Sequence, residues 1–187
     1  MSVRCKKANL CSTAGVKVIL TDLNKDKPTD LVLSGRAFMS MSLKNMSQEL
    51  KKAGTVDVEY KRIPCEYARH NLSVRVEENS KSPNYIAIKF LYQGGQTDIV
   101  GVDVAQVGSS DWRYMTRRNG PVWETDRAPA GPLQLRLVVT GGYDGKTLLA
   151  NNVLPADWKL GALYGTGVRI TDIAQEGCSP CDDKEWT

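Results

Sequence analysis

The stretch GSSDWRYMTRRNGPVW, residues 108–123, places Trp112, Tyr114 and Trp123 among Arg113, Arg117 and Arg118. Rings at this density can fill a core, stack on nucleic-acid bases or stack on sugars, and each use leaves them differently exposed. A second candidate chemistry lies in the five cysteines, Cys5, Cys11, Cys65, Cys178 and Cys181. The CSPC sequence of Cys178 and Cys181 has the spacing of a zinc half-site or a redox pair. A zinc site needs a second pair of ligands, yet His70 is the only histidine, and no βαβ pattern surrounds CSPC as a redox motif would require. We therefore read Cys178 and Cys181 as a local disulfide or idle thiols. Cys5 and Cys11 can close a short loop, which leaves Cys65 unpaired. No metal site and no cofactor is expected.

Elements able to position these residues need a folded chain, and 187 residues with 41% hydrophobic content suit one large domain or two small ones. The 25 basic and 21 acidic residues nearly balance and the basic ones are scattered, which argues against a nucleic-acid partner. No run of apolar residues is long enough to span a membrane. The opening MSVRCKKANLC lacks the apolar region of a secretory signal. Against that, the cysteines and two sequons, Asn45-Met46-Ser47 and Asn71-Leu72-Ser73, suit an oxidising, secreted setting.

Strand patterns dominate. VKVILTDL, VDVEYKRI, LSVRVEE, YIAIKFLY, DIVGVDVAQV, LQLRLVVTGG, KTLLANNVL and VRITDIA alternate apolar and polar residues or are rich in β-branched ones. One helical stretch is expected between Ser34 and Gly54, with Phe38, Met39, Leu43, Met46 and Leu50 at helical spacing and Gly54 as cap. Met39, Met41 and Met46 read as core filler. The polar segment EENSKSPNY, residues 77–85, suggests a boundary. The expected division is a partial first domain at 1–81, an antiparallel β-sandwich at 82–170 and a tail carrying CSPC at 171–187.

The blocks VRCKKANLCSTAGVKVILTDLNK, LVLSGRAF, ELKKAGTVDVEYKRIPCEY, NYIAIKFLY, GSSDWRYMTRRNG, LPADW and ITDIAQEGCSPCDD resemble plant expansin-like proteins, most closely the expansin-like B group. The resemblance covers nearly the whole chain and extends to group 1 grass pollen allergens. It implies an all-β protein: an incomplete double-psi β-barrel related to family 45 glycoside hydrolases, then an immunoglobulin-like β-sandwich acting as a carbohydrate-binding module. It also implies secretion to the cell wall and non-enzymatic binding, with possible wall loosening, of cellulose, xyloglucan or another matrix glucan by a monomer. By the same resemblance Cys5 and Cys11 form a disulfide. The partner that the family gives the cysteine at Cys65 lies upstream of Cys5, because the start matches the middle of the family's first domain.

Two departures bear on function. Where the family carries the aspartate of its His-Phe-Asp motif, this chain has Val32, so only Asp22 remains as a groove carboxylate, with Asp30 as a poor substitute. Cleavage of a glycosidic bond ordinarily needs two carboxylic groups, so no catalytic residue is assigned. Residual lytic action through Asp22 and Asp30, or a structural domain without glycan affinity, are the alternatives. In the second domain the family's line of sugar-stacking rings falls on Asn84, Tyr85 and Asn119, of which only Tyr85 keeps a ring. Trp112, Tyr114 and Trp123 join these as candidate binding residues, with packing beneath the surface as the competing role, favoured for Trp123. Trp158 is expected as a plug between sheets and Trp186 on a loose tail.

Overall fold

The computed structural model describes residues 1–21, 24, 29–95, 97–118, 120–141 and 145–170. Two compact units result, one spanning Met1–Pro64 and the other beginning at Cys65.

In the first unit β1 (Ser2–Cys5), β2 (Val16–Lys17), α1 (Gly35–Ser40), α2 (Ser47–Ala53) and β3 (Val58–Lys61) follow in order. The three strands form an antiparallel sheet with β1 in the centre. Val3, Cys5, Cys11, Met41 and Leu50 make its core. The expected long helix is two short ones. Ser34 caps α1 by accepting from the Ala37 N–H at 3.2 Å, and Gly54 closes α2 at φ 71°, as the sequence indicates. Between them the backbone is drawn away by tertiary bonds: Ser42 bridges Cys11, and the Leu43 N–H donates to the Leu10 carbonyl at 2.8 Å. Local periodicity carries no information about such a competing partner. VKVILTDL also reads as a longer strand than it makes, since only Val16 and Lys17 pair, while Ile19 and Leu20 are exposed.

A disulfide joins Cys5 and Cys11, six residues apart, and both sulfurs sit in the small core. Closing so short a loop is worth about 2 kcal/mol through the unfolded chain. A protein carrying Cys5→Ser and Cys11→Ser is therefore expected to lose about that much stability in the first unit, read as faster amide hydrogen exchange at Val3, Met41 and Leu50.

The second unit contains β4 (Ser73–Val76), β5 (Ile86–Leu91), β6 (Asp98–Gln106), β7 (Arg113–Tyr114), β8 (Thr116–Arg117), β9 (Val122–Thr125), β10 (Leu133–Thr140), β11 (Gly145–Leu154) and β12 (Leu163–Gly165). A four-stranded sheet in the order β11-β10-β6-β7 and a five-stranded sheet in the order β12-β4-β5-β9-β8 share one core. The alternation in β10 shows why: Leu133, Leu135, Leu137 and Val139 are fully buried, while Arg136, Val138 and Thr140 on the other face are only partly so. Trp158 packs half-buried against this core.

The sandwich corrects the boundary expected at 81/82. EENSKSPNY is the connection of the antiparallel β4-β5 pair, closed by a bridge between Lys81 and Tyr85, so β4 belongs to the sandwich and the division falls at Pro64/Cys65. Polar turn residues mark a hairpin as readily as a linker.

Candidate functional site

Met115 organises the aromatic stretch. It is fully buried, and its N–H donates to the Val102 carbonyl at 2.8 Å. On one side of it β7 pairs with β6 of the four-stranded sheet; on the other, β8 pairs with β9 of the five-stranded sheet. The chain thus crosses between sheets at Met115, and Trp112, Tyr114 and Thr116 are left on the outer side at the strand period of two.

There they line an open groove of about 620 Å³ along the seam, with Tyr85, Arg113, Glu124, Thr125, Asp126 and Arg127. Of the candidate binding residues, the groove brings together Tyr85, Trp112 and Tyr114. Tyr85 is pinned at every end. Its N–H and carbonyl exchange bonds with Lys81 at 2.9 and 2.8 Å. Its hydroxyl donates to Glu124 Oε2 at 2.7 Å and accepts from Asn79 Nδ2 at 3.0 Å. Arg118 also donates to Glu124 Oε2, at 3.2 Å. Trp112 is half-buried with the Arg136 guanidinium 4.7 Å from its ring centroid, and Arg136 is held in turn by Asp103 at 3.0 Å. Tyr114 is 62% exposed. Such rings offer flat apolar faces whose burial against the C–H face of a pyranose is favourable.

Burial, followed by the hydrogen bond and charge of Glu124, raises the Tyr85 phenol above its ordinary pKa. A folded value above the unfolded one, which is about 10, gives a stabilisation that is complete below that pH and is lost as pH rises through the folded value. Absorbance titration is expected to show Tyr85 ionising above the ordinary tyrosine range, and Glu124→Gln is expected to reduce that elevation. A titration of Tyr85 unchanged in Glu124→Gln would contradict the contact.

The other candidates stand apart. Trp123 is 2% exposed and sits in the sandwich core beneath Arg117, whose guanidinium lies 5.7 Å from the ring, so its candidate role as a binding residue is corrected to packing. Asn84 is exposed, and its carbonyl accepts from the Ala128 N–H at 2.8 Å, but it does not line the groove. Asp30 and Val32 are exposed residues of the first unit. Cys65 carries a free, half-buried thiol. Asp22, Asn119, Cys178, Cys181, Trp186 and the tail 171–187 lie outside the described residues. Sequence reasoning missed Thr116, Glu124, Asp126, Arg127 and Asn79. Thr116 was detectable from its period-two spacing with Trp112 and Tyr114; Glu124 reaches Tyr85 only through the pairing of β9 with β5, and Asn79 only through the fold-back of the β4-β5 connection. Among the described residues no group of three or more His, Cys, Asp or Glu is placed to hold a metal ion, and no helix is long and apolar enough to cross a membrane.

Residues 72–155 match the model of the expansin C-terminal domain. The chain is 59% identical over 186 residues to Expansin-like A2 of Arabidopsis thaliana, an alignment covering 98% of this chain and 70% of that protein. It is 58% identical to Expansin-like A3 of Oryza sativa subsp. japonica, over 98% of this chain and 67% of the relative. Expansin-like B1 of Arabidopsis thaliana is 40% identical over 90% of the chain and 68% of its own length. The expected closeness to the B group is thereby corrected in favour of the A group. The crystal structure of an apo expansin of Clavibacter michiganensis superposes with a TM-score of 0.62 at 22% identity, covering 92% of this chain and 84% of that one. A mutant form of that bacterial protein, in complex with cellohexaose, superposes at 0.61.

Proposed function

The chain belongs to the expansin-like family, and from that premise we propose that it binds plant cell-wall polysaccharide without cleaving it, through the groove between the two sheets of the sandwich. The observation that carries this reading is the convergence of Tyr85, Trp112 and Tyr114 on one open groove. The bacterial protein of the same fold takes cellohexaose, so a β-1,4-glucan is the first ligand to test, with xyloglucan second.

Glu124 is the carboxylate nearest the ring that would carry the sugar, and its Oε2 already accepts from Tyr85 and Arg118. That is the part of an acceptor, whereas glycosidic cleavage needs one carboxyl group free to deliver a proton and a second to attack or activate water. In the first unit, which we read as part of a double-psi β-barrel, Val32 stands at the position of the family's aspartate. Asp22 and Asp30 are left without that partner. We assign the protein to the extracellular wall as a monomer, and take Asn119 as a hydroxyl-binding edge of a thinned platform.

Incubating the full chain with insoluble cellulose and with xyloglucan tests both halves. Retention on the polymer with no rise in soluble reducing sugar is expected. Sugar release that disappears in Asp22→Asn would overturn the non-enzymatic half, and passage through both polymers without retention would overturn the binding half.

A further inference from the structure

Of the two Asn-x-Ser triplets, Asn71-Leu72-Ser73 has surroundings that the groove does not account for. Asn71 is exposed at the entry to β4. His70, just before it, stacks on Tyr92 with ring centroids 4.3 Å apart and planes 13° apart. Tyr67 meets Tyr92 edge-on at 5.5 Å. The strand register explains the adjacency: Ser73 pairs with Leu91 across β4 and β5, so the residues before Ser73 come alongside those after Leu91. Tyr92 holds its place at φ 58°, a setting that aromatic residues rarely adopt. None of the three rings belongs to the sandwich core. They form a surface pair with an edge partner, beside an exposed acceptor amide.

We propose that Asn71 is an N-glycosylation acceptor and that the His70-Tyr92 stack is the surface on which the first sugar of its glycan lies. In the transfer, Asn71 Nδ2 bonds to the anomeric carbon of an oligosaccharide presented on a lipid diphosphate. The anomeric C–O bond breaks, the lipid diphosphate leaves with the electron pair, and the amide proton passes to base. The triplet's second determinant is the Ser73 hydroxyl, which in the fold is buried and donates to the Asn71 carbonyl at 3.1 Å. Transfer therefore precedes the docking of β4, and folding then brings the exposed His70 ring, backed by the half-buried Tyr92, against the sugar. The apolar face of an N-acetylhexosamine gains from ring contact as a glucan would.

Asn71 also lies away from the groove. Tyr85 precedes the first residue of β5, whereas Asn71 lies two residues before Ser73, the partner of its last, so the two are separated by more than about 20 Å at roughly 3.3 Å per residue. A glycan there leaves the groove open. The inference rests on the extracellular route proposed above, with which the Cys5–Cys11 disulfide agrees, and not on the ligand of the groove.

The test is to express the full chain in plant cells behind a supplied secretory leader, with Asn45→Gln throughout so that one triplet remains. Lumenal and secreted protein are pooled, and glycans are released in heavy-oxygen water, which marks each formerly glycosylated asparagine by mass spectrometry. Most Asn71 is expected to carry the mark, and Asn71→Gln is expected to lose the glycan mass with cellulose retention unchanged. Asn71→Gln is also expected to lower the melting temperature, a drop that disappears when His70→Ala is already present. Unmarked Asn71 would overturn the acceptor. Marked Asn71 with the same drop in both backgrounds would overturn the stacking surface. Loss of cellulose retention in the parent alone would speak against the groove and leave the glycan result standing.

Discussion

Replacing Tyr85 by alanine is expected to remove most retention on cellulose while leaving the melting of the sandwich nearly unchanged. Ring-stacking contacts of this kind are worth about 1 to 3 kcal/mol, which corresponds to roughly 5- to 150-fold in affinity. The upper part of that range applies if Tyr85 is the central contact, and its geometry supports this. The ring is oriented by Glu124 and Asn79 through its hydroxyl and by Lys81 through its backbone, so little conformational freedom is lost when a sugar settles on it. Tyr85→Phe separates the ring from its anchor: it keeps the stacking face but frees it from Glu124, and is expected to fall between the parent and Tyr85→Ala. Calorimetric titration with long cello-oligosaccharides measures all three. Equal binding by the parent and Tyr85→Ala would remove the groove from consideration.

Trp123→Ala is expected to act in the opposite manner, through stability. The indole is buried in the core of the sandwich, opposite Ile88 on one side and Arg117 on the other within the five-stranded sheet. Truncating a core tryptophan costs about 3–5 kcal/mol, a large part of the about 5–15 kcal/mol by which a domain is folded. Chemical denaturation should show the midpoint falling sharply, with binding lost only in proportion to the unfolded fraction. Were Trp123→Ala to melt like the parent and still lose binding, the residue would have to be a ligand contact after all.

The contrast between these two rings shows what could be read from the sequence. Period-two alternation identifies the strands of the sandwich well because each, like β10, buries one face against a single shared core. It fails for β7 and β8, which are too short for a pattern, and for β1, a four-residue central strand in which the polar Ser2 is buried along with Val3 and Cys5. It fails again for the helical stretch after Ser34, where the bonds from Leu10 and Cys11 come from residues distant in sequence. The rings of the site were visible as residue types. Their sorting into groove and core was not, because it depends on the crossing at Met115. Nor does one strand's sequence reveal that a glutamate on β9 will meet a tyrosine at the start of β5.

The pairing of β12 with β4 sets the order in which the sandwich can be made. Leu72 and Thr166 are joined by two hydrogen bonds to the Leu72 carbonyl, one from the Thr166 backbone at 3.0 Å and one from its hydroxyl at 2.7 Å across a sequence separation of 94. During synthesis β4 therefore emerges from the ribosome long before the strand that covers it. Until residues 163–165 arrive, its outer edge offers open donors and acceptors to any neighbouring chain. The expansin C-terminal domain match ends at residue 155, short of that covering strand, so a polypeptide cut there would retain every ring of the groove and expose a sticky border along β4.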